Sequence, residues 1–150
     1  MEKFNLENEV IRIESLNINN YNTSYLNLLK QLSNSNIDYS SEKSNLFLEN
    51  LNDKHIIKIL INETNIIIGS ITIIKERKII HNYNIAAHIE DVVIHEDYRG
   101  KGLGKKLINI AKNEFSEFYK IILNCTEEMV YFYEKNGFQK KNVQMAIYKN

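Results

Sequence analysis

The chain has 150 residues, 43% hydrophobic and 25% charged, with 19 basic and 19 acidic side chains that cancel to a formal net charge of zero. That length and balance fit one domain over residues 1–150 built around one core. They exclude a global basic field for nucleic acid or an anionic membrane, and the single cysteine, Cys125, excludes a disulfide framework or a cysteine zinc cluster.

In chain order, the start "MEKFNLENEVIRIES" lacks the basic-then-apolar pattern of a signal peptide, which gives the expectation of a reducing, cytoplasmic setting. "VIRIES" (10–15) alternates apolar and polar residues and predicts a half-buried strand. From Tyr21 to Leu32 the spacing places Tyr21, Tyr25, Leu28, Leu29 and Leu32 on one face of a helix. A second helix is predicted over 40–51, with Ser40 or Ser41 as N-cap and Leu46, Phe47 and Leu51 turned inward. "HIIKILINE" and "IIIGSITIIKE" are β-branched runs separated by "TN", the pattern of a hairpin. The apolar part of the second run is about half the ~20 residues a bilayer-spanning helix needs. "RKIIHNYNIAA" is expected to be the irregular end of that hairpin and its connection. The strand "HIEDVVI", a glycine loop, a helix from about Gly104 to Glu117, the buried strand "YKIILNC", the short helix "EEMVYFYEKN" and a closing strand "VQMAIYK" complete an α+β domain.

Three of the five glycines, Gly100, Gly102 and Gly104, stand between a strand and a helix. A helix start carries unpaired N–H groups and a partial positive charge, so it suits a phosphate, and glycines let backbone approach the anion closely. The spacing is neither a Walker A loop nor the Rossmann fingerprint. Upstream, Glu90 and Asp91 are consecutive, so in a regular strand they point to opposite faces; both line one cleft only if the strand bulges. Two carboxylates inside an apolar strand are costly to bury unless paired, which points to a site; the alternative is a salt bridge on an exposed face. Tyr133 is a phenol able to donate a proton, or else a packing residue of its helix. Cys125 reads as a buried cysteine ending a core strand, not as an activated nucleophile. His55, His88 and His95 lack metal-ligand spacing and read as surface or strand residues.

The sequence R-x-x-G-x-G, here Arg99, Gly102 and Gly104, resembles the pyrophosphate-binding loop of the GCN5-related N-acetyltransferase (GNAT) superfamily. Taken with "KIIH", "HIED" and "FYEK", the stretch from roughly 75 to 147 resembles the glucosamine-6-phosphate N-acetyltransferase family, with a looser likeness at "LLKQLS" in the first helix. The resemblance implies a GNAT fold, a central mixed and mostly antiparallel sheet flanked by helices. It also implies acetyl-CoA as cosubstrate, no metal, and D-glucosamine 6-phosphate as acceptor. The product would be N-acetyl-D-glucosamine 6-phosphate for UDP-N-acetylglucosamine synthesis, formed by direct transfer in a ternary complex. A homodimer whose last strand is exchanged or packed against its partner belongs to the same expectation.

On that resemblance, Val92, Val93, Ile94, Arg99, Gly100, Lys101, Gly102, Leu103, Gly104 and Lys105 hold acetyl-CoA, together with Tyr133, Glu134 and Lys135. Glu90, Asp91, Asn124 and Tyr133 carry the chemistry, with Tyr133 beside the sulfur. The acceptor is contacted by Ser33, Lys78, Ile79, Ile80, His81, Tyr119, Lys120 and Tyr148, and by Glu90, Asp91, Val92 and Asn124. Three positions depart from the family pattern. Asn124 replaces an aspartate and cannot act as a base; Tyr148 replaces a phosphate-binding arginine and brings no charge; Met129 replaces an asparagine that contacts the CoA arm. These departures leave open a GNAT enzyme for another amine, or a CoA-binding module without activity.

Overall fold

The computed structural model describes residues 2–33, 36–37, 40–115 and 117–149. Six strands form one sheet in the order β1-β2-β3-β4-β5-β6. β1 (Glu2–Leu6), β2 (Glu9–Ser15), β3 (His55–Ile61), β4 (Ile67–Lys78) and β5 (Asn84–Ile94) pair antiparallel in succession, and β6 (Lys120–Leu123) joins β5 in parallel. Two helices, α1 (Thr23–Lys30) and α2 (Ser41–Glu49), precede β3; α3 (Leu103–Asn113) makes the crossover from β5 to β6, and α4 (Val130–Lys135) follows.

The composition of each strand matches its place. β3 and β4 are buried on both faces, so they read as continuous apolar runs instead of alternating. On one face Ile11, Ile13, Ile71, Ile73 and Ile89 pack against Leu107, Ile108 and Ala111 of α3. On the other, Ile57, Ile59, Ile61 and Val93 pack against Tyr25 and Leu28 of α1 and Leu48 of α2. Asn22 caps α1 by accepting from the Ser24 amide at 2.9 Å.

Several expectations need correction. β1 stands outside the predicted elements: it pairs with Glu9 to Ile13 of β2 and adds Phe4 and Leu6 to the edge of the core. The stretch 77–87 is mostly strand, because β4 runs to Lys78 and β5 starts at Asn84; only a 3-10 turn at Ile79–His81 and two further residues are irregular. Leu32 lies beyond the end of α1 and is exposed. In α2 the inward residue is Leu48; Leu46 and Phe47 are exposed, since the helix presents a different stripe to the sheet. Cys125 is exposed, because β6 ends at Leu123 before reaching it. Residues 143–149 form no strand: within one chain they meet no partner edge, and Ile147 is left 98% exposed.

Candidate active site

Strand β5 organises the site through two irregularities. The first is a β-bulge. Ser70 pairs with Val93 and Thr72 with Glu90, so Ile71 alone spans both Asp91 and Val92. Asp91 takes φ +48° at this point. Ile89 and Val92 both pack toward the α3 core, while Glu90 and Asp91 both line a cavity on the opposite face. The condition set by the sequence is therefore met: the extra residue turns two consecutive carboxylates to one side.

The second irregularity is a parting of strands. β5 and β6 pair only from Ala86↔Lys120 to Ile89↔Leu123. Beyond that point Val92, Val93 and Ile94 run on without β6, and Asn124 and Cys125 diverge from them. The edge of β5 that faced β6 is thus unpaired as the strand runs on toward the glycine loop.

In the loop, Tyr98 N–H donates to His95 O at 2.8 Å, turning the chain toward α3. Gly100 and Gly102 take φ +73° and +79°, and a Cβ on either meets nothing within 4 Å, so backbone conformation alone demands glycine there. Gly104 has a different reason. It does not have positive φ, and a Cβ would come 3.1 Å from Phe132 Cζ, so this glycine lets α4 pack on α3. The first helical bond of α3 runs from Lys106 N–H to Gly102 O, which leaves the amides of Leu103, Gly104 and Lys105 at the open helix start. Arg99 uses Nε to donate to Ile94 O at 3.1 Å. Lys101 pairs with Glu7 at 3.0 Å and lies 5.6 Å over the Tyr98 ring. Glu134 and Lys135 sit on the exposed side of α4.

Tyr133 is buried, edge-on to Phe132 at 5.0 Å and Phe138 at 5.8 Å. Burial, and then the neighbouring Cys125 thiol, raise its phenol pKa, so it stays protonated at neutral pH and is a donor. Packing and donation are compatible: the ring fills the core while no residue among those described bonds the hydroxyl.

The cavity beside Glu90 and Asp91 measures about 470 Å³. Its walls include Tyr25, Leu26 and Leu29 of α1, Phe47 of α2, and His55, Ile57, Thr72 and Ile74 of the sheet. Tyr25, Phe47 and His55 were not singled out as site residues; their sequence signals are those of core or surface, and only the packing of α1 and α2 over the sheet turns them to a common space.

The other expected acceptor residues form a separate cluster. His81 stacks on Tyr119 with centroids 3.6 Å apart, and Lys120 lies 5.5 Å over the same ring. Lys78 pairs with Glu76 at 2.6 Å, and that hydrogen bond, before the Coulombic pull of Lys78 and His88, lowers the Glu76 pKa. Ile79 and Ile80 protrude beside it. Strand register separates Lys78, opposite Asn84, from Glu90 by six residues, roughly 20 Å at ~3.4 Å each. One chain therefore does not bring this cluster and the Glu90–Asp91 cavity to one small ligand. Ser33 lies three residues past the end of α1, with its N–H donating to Leu29 O at 3.2 Å, outside the cavity wall. Tyr148 lies on the exposed tail and Met129 in the turn before α4. Among the described residues no group of three His, Cys, Asp or Glu side chains converges, and no helix is long and apolar enough to cross a membrane.

Comparison with known proteins gives a consistent result. Residues 53–140 match the family model described as an acetyltransferase (GNAT) domain. The chain is 35% identical over 147 residues to glucosamine 6-phosphate N-acetyltransferase 1 of Dictyostelium discoideum, covering 92% of this chain and 90% of that protein. It is also 35% identical to glucosamine 6-phosphate N-acetyltransferase of Arabidopsis thaliana, covering 93% and 97%. A crystal structure of the Arabidopsis thaliana enzyme superposes with TM-score 0.86 at 32% identity, over 93% of this chain and 99% of that one. An aminoglycoside acetyltransferase from a soil metagenome, at 20% identity and TM-score 0.73, shares the fold.

Proposed function

The chain belongs to the glucosamine 6-phosphate N-acetyltransferase family of GNAT-domain acyltransferases, and from that premise we propose that it moves the acetyl group of acetyl-CoA to the amine of D-glucosamine 6-phosphate. The observation that carries the reading is the β-bulge. It turns Glu90 and Asp91 together to a cavity next to the unpaired edge of β5, which leads directly to the glycine loop.

Each residue then has a task. Gly100 and Gly102 and the first amides of α3 cradle the pyrophosphate, with Arg99 as the nearby cation. The open backbone edge of Val92–Ile94 offers hydrogen bonds where the thioester carbonyl gains negative charge. Glu90 and Asp91 attract the ammonium and take the proton it must lose before its lone pair can attack the carbonyl carbon; the second N–H proton leaves after attack and, through solvent, restores the Tyr133 phenol. Tyr133 gives its proton to the CoA sulfur as the C–S bond breaks. Asn124, an amide, orients by hydrogen bonding and takes no proton. The acceptor nitrogen attacks directly, so Cys125 is not acylated.

The separation of the Lys78–His81–Tyr119–Lys120 cluster from the cavity supports a homodimer, in which one protomer's cluster meets the phosphate of a sugar seated at its partner's Glu90 and Asp91. The exposed apolar tail around Ile147 supports the same assembly, with Tyr148 carried to the partner. We assign the whole chain to one acetyltransferase domain working in the cytoplasm. The test follows free CoA thiol from acetyl-CoA, with glucosamine 6-phosphate and unphosphorylated glucosamine in parallel. Release with the phosphorylated sugar only is expected. Equal release from both would move the acceptor to another amine on the same CoA machinery, and none from either would withdraw the sugar.

A further inference from the structure

Ser70 on β4 is wholly buried, and its Oγ has no hydrogen-bond partner among the described residues. Such an orphan costs about 1–3 kcal/mol, so a native chain that keeps one has a use for it. Its position is telling: Ser70 pairs with Val93 at the edge of the bulge, on the same face as Thr72, beneath α1. Tyr25 of α1 lies over it, only 5% exposed. Burial raises the Tyr25 pKa, and the Ser70 hydroxyl, turned as a hydrogen-bond donor toward the phenol oxygen, pulls it the other way, although the pair is looser than the distance and angle of a full hydrogen bond. Tyr25 also shares the cavity wall with Asp91, whose left-handed backbone is a conformation that costs a side chain about 1–2 kcal/mol. Tyr25 and Asp91, the latter on a left-handed backbone, thus share the cavity wall, with the buried Ser70 hydroxyl behind the phenol.

We propose that Tyr25, backed by Ser70, is a positioning residue that aims the Asp91 carboxylate at the acceptor amine. The claim rests on the reading that Asp91 faces that amine. The other polar groups around the cavity are Tyr21 just before α1, Lys43 and Ser44 of α2, His55 of β3, Thr72 of β4 and Glu90 of β5. Tyr21 is engaged with Ser44 at 3.0 Å, which leaves Tyr25 as the phenol for Asp91. Burial pushes Tyr25 up to about 12, so it remains an O–H donor across any working pH. Phenylalanine in its place would fill the same volume without that donor.

The test is a double-mutant cycle of Tyr25→Phe and Asp91→Gly, read by thermal melting and by steady-state kinetics; glycine keeps the left-handed backbone and removes the carboxylate. In the native background Tyr25→Phe is expected to lower kcat about tenfold, the loss of one good hydrogen bond, with KM for acetyl-CoA unchanged. It is expected to lower Tm by about 2–4 °C. In the Asp91→Gly background both effects should vanish. Ser70→Ala should lower kcat in the same direction by a smaller factor, about threefold. Effects of Tyr25→Phe that are the same in both backgrounds would overturn the pairing. The melting cycle needs no substrate, so a wild-type enzyme inactive toward glucosamine 6-phosphate would refute the acceptor while the Tyr25–Asp91 coupling is still decided.

Discussion

At Tyr133, burial between Phe132 and Phe138 and proximity to Cys125 keep the phenol protonated where a thiolate would leave. Tyr133→Phe keeps the ring contacts and removes only the donor. Its kcat is expected to fall about 10²-fold with KM for acetyl-CoA within twofold, measured by CoA thiol release. Tyr25 makes a different prediction, about stability. Its pKa is about 12 in the folded chain against 10 as the ordinary value, so the folded state holds the proton more tightly. That preference is fully present below about pH 10 and is lost as pH rises through about 12, at most roughly 3 kcal/mol. Denaturant melts between pH 9 and 12 should show the wild type losing stability more steeply than Tyr25→Phe; parallel curves would mean the phenol is not buried as described.

At the scale of elements, the strand–loop–helix unit at 84–113 separates two uses of glycine. Gly102→Ala must hold φ +79°, at a cost of about 1–2 kcal/mol, in the turn that presents the α3 amides. It should therefore raise the acetyl-CoA KM several-fold. Gly104→Ala instead presses a methyl group on Phe132, which has to give by a few tenths of an ångström. It should lower Tm while changing the acetyl-CoA KM less than Gly102→Ala does. Equal KM effects would return Gly104 to the anion cradle. The loop was legible from sequence because its glycines sit a fixed distance from a strand and a helix start. The bulge was legible only as a condition, since consecutive carboxylates demand it if both are to act, and the register opposite Ile71 had to decide it.

For the whole molecule, the sheet's first five strands follow one another in antiparallel order, which keeps chain neighbours adjacent in space. That arrangement made the hairpin of β3 and β4 readable, whereas the cavity of α1 and α2 over the sheet joins residues as distant as Tyr25 and Asp91. Dimerisation belongs at this scale. If the proposed dimer forms through the exposed apolar tail, a chain ending at Asn142 should scatter light as a monomer and lose its preference for the phosphorylated sugar. A truncated chain that remains dimeric would place the interface elsewhere, for instance at exposed Ile79 and Ile80.

The sequence by itself determined what depends on near neighbours: alternating or continuous apolar runs, the glycine loop, the helix after it, and the motifs that mark an acetyltransferase. Tertiary structure alone decided that Glu90 and Asp91 share a side, that Gly104 answers to Phe132, that Phe47 and His55 face a cavity, and that residues 143–149 find no strand to pair with in their own chain. The physical reason is range. Periodicity and φ preference act over a few residues, but strand register, the closing of a cavity and the pairing of an edge are set by contacts between segments tens of residues apart.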